Sequence, residues 1–124
     1  MLPASHRLRR HDDFSRASRG RRGGTRLVVV HMRASQPTVP ECRVGFVVSK
    51  AVGNAVVRNR VKRRLRAVMA GLLPELPAGH DVVVRANPAA ATADSAALAT
   101  DLTRVIRKLV ATREPDADRT LAGA

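Results

Sequence analysis

Nine consecutive residues hold the densest chemistry in the chain: Arg58-Asn59-Arg60-Val61-Lys62-Arg63-Arg64-Leu65-Arg66. Six of them are cations. Guanidinium forks grip phosphates bidentately and an ammonium adds a point charge, so such a row suits a polyphosphate backbone. Like charges four residues apart on a helix, here Arg58–Lys62 and Lys62–Arg66, each cost ~0.2–0.5 kcal/mol. A line of phosphates offsets that cost and releases counterions. Asn59 adds an amide that donates and accepts, which suits a base edge or a ribose hydroxyl. A merely solvated basic face is the blander reading of the same charges.

Other chemistry is poorly equipped. His6, His11, His31 and His80 have no metal-ligand spacing with one another or with Cys42. Asp12-Asp13 beside Phe14 read as helix-capping acids rather than a metal pair. There is no phosphate loop and no nucleophile elbow. No catalytic residue and no metal site is therefore assigned to this chain.

The rest of the composition agrees with a polyanionic partner. The 124 residues suffice for one domain. Lys and Arg number 23 against 10 Asp and Glu, a net charge of +13. From Phe14 to Pro74 the one acid is Glu41. The charge is thus largely one block, a field that concentrates polyanions. The single Cys42 excludes an internal disulfide and fits a reducing compartment. No apolar run approaches membrane-spanning length, and the N-terminus lacks a secretory pattern. A cytoplasmic location is expected.

These residues need a frame. Residues 1–11 lack periodicity and are expected to form a flexible basic arm. Asp12 and Asp13 suit the start of a short helix to about Ala17, and Arg19–Gly24 reads as a basic loop. Leu27–Met32 and Arg43–Lys50 read as strands, expected to pair as an antiparallel hairpin. Gly53-Asn54 suits a helix start. From Ala55 to about Leu72, Val57, Val61, Leu65, Val68 and Leu72 form one stripe at ~100° per residue. Asn59 and Arg63 lie nearly opposite that stripe, Arg58, Lys62 and Arg66 on one flank, and Arg60 on the other. Arg64 sits at the stripe's edge. His80–Asn87 reads as a strand closed by Pro88. Asp94 or Ser95 caps a last helix with Leu98, Leu102, Val105, Ile106 and Leu109 inward. The expected fold is a single-domain α+β sandwich over residues 12–112, in the order α-β-β-α-β-α. Residues 113–124 are expected to be a disordered tail.

The run from Arg43 to Arg63 resembles the signature of the bacterial ribonuclease P protein. It has a strand ending in Ser49-Lys50, the turn Gly53-Asn54-Ala55, then Arg58-Asn59-Arg60, an apolar residue and Lys62-Arg63. Chain length and element order agree, so the resemblance covers about residues 6–112. It implies a protein subunit that assists a catalytic RNA in removing the 5′ leader of precursor tRNA. Catalytic groups then lie on the RNA and the Mg²⁺ it holds, with no cofactor bound by the protein alone and no protein partner implied. The resemblance gives contact with the catalytic RNA to Lys50, Asn54, Arg58, Asn59, Arg60, Lys62, Arg63, Arg64 and Arg66. It gives the leader a face between the first helix and the sheet, with Phe14, Phe46 and Val48, and Arg26 and Arg85 at its margins. It also implies a left-handed crossover between the Arg43–Lys50 and His80–Asn87 strands, where general rules favour the right-handed one.

The family often carries more aromatics on that face; Ser18 and Val30 stand at plausible equivalents here. Stacking is worth ~1–3 kcal/mol per base, so leader contacts are expected to rest more on Arg and packing. Phe14 and Phe46 suit core positions as well as stacking platforms. Two further classes stay open: a structural or translation-linked RNA-binding protein on a similar fold, and a basic-helix DNA reader. The DNA reader is weakest, because no helix-turn-helix pairing or dimer seam is visible.

Overall fold

The computed structural model describes residues 21–34 and 41–112. The expected arm, first helix and tail, with Phe14 and Ser18, lie outside them. The elements are β1 (Arg21–Gly24), β2 (Val28–Ala34), β3 (Arg43–Val47), α1 (Ala55–Leu72), β4 (His80–Ala86) and α2 (Ser95–Thr112). Short 3₁₀ turns at Leu73–Glu75 and Pro88–Ala91 follow α1 and β4.

The four strands form one sheet in the order β1-β2-β4-β3. β4 pairs antiparallel with β2 and parallel with β3. This corrects the expected β2–β3 hairpin: β4 inserts between the two strands, and α1 is the crossover that lets β3 and β4 run parallel. β4 is paired along both edges and is buried from Asp81 to Val84.

The expected Arg19–Gly24 loop is also corrected. Arg21–Gly24 is an edge strand paired with β2, Gly23 opposite Val30. Its sequence has no strand propensity; the β2 ladder and the helix beyond it decide the outcome. α2 covers this edge: a Cβ on Gly23 would lie in van der Waals contact with Val105 at 3.4 Å and Leu109 at 3.6 Å. The following turn is pinned. The Thr25 hydroxyl accepts from the Leu27 and Val28 amides, and the Asn87 side-chain amide donates to the Thr25 and Arg26 carbonyls.

Register sorts the sheet's two faces. Val28, Val30 and Met32 lie opposite Ala86, Val84 and Val82, and Val44 and Phe46 continue that row across β3. This row packs under both helices, with Val61, Leu65, Met69 and Leu72 from α1. Leu98, Leu102, Val105, Ile106 and Leu109 of α2 are all buried, as their spacing predicts. Val30 is therefore core beneath the helices, not a cleft residue. The opposite face carries Arg22, Val29, His31, Arg33, Arg43, Val83 and Arg85. There Asp81, 3% exposed, accepts both prongs of Arg43, at 2.9 Å from Nε and 3.0 Å from Nη2. Removing one partner of such a pair strands the other charge.

Candidate nucleic-acid interface

The site is α1 and the turn that aims it. The Val52 amide donates to the Ser49 carbonyl at 3.0 Å, and the Val52 side chain is buried, which anchors the turn. Gly53 follows because nothing larger fits: a Cβ there would meet Val57 Cγ1 at 2.9 Å. Asn54 then caps the helix, its Oδ1 accepting from the Val57 amide at 3.0 Å. Resemblance gave Asn54 to the RNA; here its amide oxygen is spent on the helix start.

The buried stripe of α1 is Val61, Leu65, Met69 and Leu72, with Val57 and Val68 half-buried beside it. Met69 takes the place expected of Val68, a small rotation that leaves the outward half as the wheel set it. The cations then divide. Arg64 Nη1 donates to the Ala93 carbonyl at 2.9 Å and Arg60 Nη2 to the Ala91 carbonyl at 3.3 Å. These two arginines tie α1 to the segment leading into α2. Arg58 is half-buried, and its buried Nε has no hydrogen-bond partner. Asn59 and Arg63 are exposed, with Lys62 and Arg66 half-exposed beside them. The Arg66 guanidinium lies over the Phe46 ring, 6.0 Å from its centroid.

No α1 cation has an ion pair among the described residues. The carboxylates of Asp81 and Glu75 are taken by Arg43 and Arg107. The Glu75–Arg107 hydrogen bonds lower the Glu75 pKa and raise that of Arg107. Asp94 Oδ1 caps α2 through the Ala97 amide at 2.8 Å. Among the described residues the outward half of α1 is thus a field of positive charge without an acid paired to it. Lys50 is exposed at the turn before it.

The expected leader residues share one end of the sheet but not one face. Arg85 is exposed on the side away from the helices. Arg26 is exposed in the β1–β2 turn, its carbonyl bound by Asn87 two residues beyond Arg85. Val48 is half-buried just past β3. Phe46 pairs in register with Val84 and so points towards the helices, where Arg66 covers it. Phe14 lies outside the described residues.

Sequence reasoning passed over Val56. It is 72% exposed, the one large exposed hydrophobic among the described residues, and sits among Asn59, Lys62, Arg63 and Arg66. Its signal was available, an apolar residue opposite the stripe. The carbonyls that hold Arg60 and Arg64 carry no sequence signal at all.

Burial, with the Asp81 charge adding to it, pushes the Cys42 thiol up to about 12, far from a nucleophile's range. Among the described residues no group of three or more His, Cys, Asp or Glu could hold a metal ion. No helix there is long and apolar enough to cross a membrane.

Fold and site together define a small α+β protein built to present one cationic helix from a four-stranded sheet. A family model for Ribonuclease P matches residues 2–110, and the chain belongs to that family. It is 53% identical over 118 residues to the ribonuclease P protein component of Streptomyces bikiniensis, covering 89% of this chain and 96% of the relative. The component from Kocuria rhizophila is 58% identical over 102 residues, covering 82% and 88%. Among solved structures, the Staphylococcus aureus RNase P protein superposes with a TM-score of 0.73 at 27% identity, over 83% of this chain and 94% of that one. The Thermotoga maritima RNase P protein gives 0.72 at 25% identity, over 82% and 96%. The chain's function is that of the family, a protein subunit of ribonuclease P in tRNA 5′-end processing.

Proposed function

We infer that the chain joins the catalytic RNA of ribonuclease P through the outward half of α1. The observation that carries this is the set Asn59, Lys62, Arg63 and Arg66, displayed together without a carboxylate partner among the described residues. Phosphodiester oxygens supply the missing negative charge. Arg60 and Arg64 hold the helix in place, and Lys50 extends the charge along the preceding turn. The 5′ leader of precursor tRNA belongs at the end of the sheet marked by Arg26, Val48 and Arg85, with Phe14 expected nearby. Hydrolysis is assigned to the catalytic RNA, where Mg²⁺ supplies an activated water; no group of this chain takes part. Processing would take place in the cytoplasm.

Reconstitution tests the reading. Cleavage of precursor tRNA by the cognate catalytic RNA is measured at low Mg²⁺ with and without the protein. Stimulation is expected, because the protein's cations offset repulsion between the two RNAs that Mg²⁺ otherwise screens. No stimulation removes the subunit role.

A further inference from the structure

The cations of α1 explain attraction to any phosphate backbone. They do not explain Val56. Val56 is exposed among them, an apolar side chain on an otherwise polar surface. It forms one wall of a shallow trough of about 430 Å³, whose other walls are Asn59, Lys62, Arg63 and Arg66. The trough has an apolar wall, an amide and three cations, with no acid among its lining residues. The Arg66 guanidinium is steadied by the Phe46 ring beneath it.

We propose that this trough is a binding site for one unpaired nucleotide of the RNA, with the base against Val56 and its edge read by Asn59. Lys62, Arg63 and Arg66 then hold the flanking phosphates. This deepens the reading of α1 as the catalytic-RNA face and rests on it. A bare phosphate would use the cations and leave Val56 facing water. An A-form duplex keeps its bases stacked inside, whereas an unpaired base can be splayed onto an apolar surface and hydrogen-bonded on its edge. A protein partner needs roughly 1,000 Å² of contact with an apolar centre, and one valine ringed by cations does not offer that.

The test is equilibrium binding of the full chain to the cognate catalytic RNA across a salt series. Base-specific chemical probing of the bound RNA accompanies it. Val56→Ser and Asn59→Ala should each weaken binding by about five-fold with an unchanged salt slope, since neither removes a charge. Val56→Ile should bind like the parent chain. Arg63→Ala should weaken binding and make the slope shallower by about one. One unpaired base protected by the parent chain should become reactive with Val56→Ser. Val56 is exposed, so thermal melting of these variants should match the parent. If Arg63→Ala weakens binding while Val56→Ser and Asn59→Ala do not, the nucleotide site is overturned and the α1 interface stands. If all three bind like the parent chain, both readings fall.

Discussion

Phe46→Leu separates two roles for the ring. The side chain stands on the helix-facing side of β3, half-buried, with the Arg66 guanidinium 6.0 Å from its centroid. That distance is near the outer limit of a cation–π contact, so at a half-exposed site the contact is worth ~0.5–1 kcal/mol. Leucine keeps an apolar side chain against the core but gives Arg66 no ring face. The arginine then regains rotamers that RNA binding must freeze again. Affinity for the catalytic RNA should fall about two- to five-fold, the same energy written as a binding ratio. The change should not touch the leader, because leucine keeps the core against which Val48 packs and Arg85 projects from the opposite face. The assay has two arms. Affinity of the protein for the catalytic RNA is measured directly, and the assembled enzyme is compared on leader-bearing and mature tRNA. A shift in leader discrimination with unchanged catalytic-RNA affinity refutes the reasoning and makes Phe46 a stacking platform for the leader.

Gly53→Ala should push the preceding turn away from Val57 in the first turn of α1, costing ~1–3 kcal/mol as overpacking does, read as a lower urea midpoint. An unchanged midpoint would mean that the turn gives way freely. Arg64→Ala should cost ~1 kcal/mol of stability through the lost bond to Ala93, whereas Arg63→Ala, exposed, should leave stability within ~0.5 kcal/mol. Equal thermal shifts in the two variants would contradict the division of the helix cations. The Cys42 thiol stands at about 12 when folded against an ordinary 9.0, so the native chain keeps a proton that the unfolded chain releases. That contribution is intact below pH 9.0 and declines as pH rises towards about 12. Cys42→Ala should flatten the alkaline fall in the urea midpoint; parallel curves would show that the thiol plays no part.

The basic helix was legible because its signals are local. Period, Asn54 cap and charge all lie within twenty residues, and the span Ala55–Leu72 follows from them. α2 was legible for the same reason, through its leucines and Asp94. The sheet was not. Whether β2 pairs with β3 or with β4 depends on which strand the crossover delivers between them, and both neighbours are equally apolar in sequence. Arg21-Arg22-Gly23-Gly24 reads as a loop until β2 and α2 are in place to receive it. For the site, the cations and Asn59 were legible by type. The roles within the set were only partly legible: the wheel sets Arg60 and Arg64 nearer the stripe than Arg63, but the carbonyls that hold them lie about thirty residues away. Val56 was hidden because attention to the stripe treats an apolar residue opposite it as noise. The side of the sheet on which Phe46 stands needs a register, which β4 supplies and local sequence does not.

The strand order has a further consequence for how the chain assembles. β2 finds its inner partner only when β4 arrives, about fifty residues later along the chain. β3 waits for the same strand. The middle of the sheet is thus built from pairings of long sequence separation, with α1 in the segment between β3 and β4. Val61, Leu65, Met69 and Leu72 pack in the same core as Val44, Val82 and Val84, so the stability of α1 is coupled to that of β3 and β4. A polyanion gripping that helix acts on the folding equilibrium as a ligand of the native state, and stabilises strands it never touches. The face that recruits the partner is in this sense also the clasp of the domain.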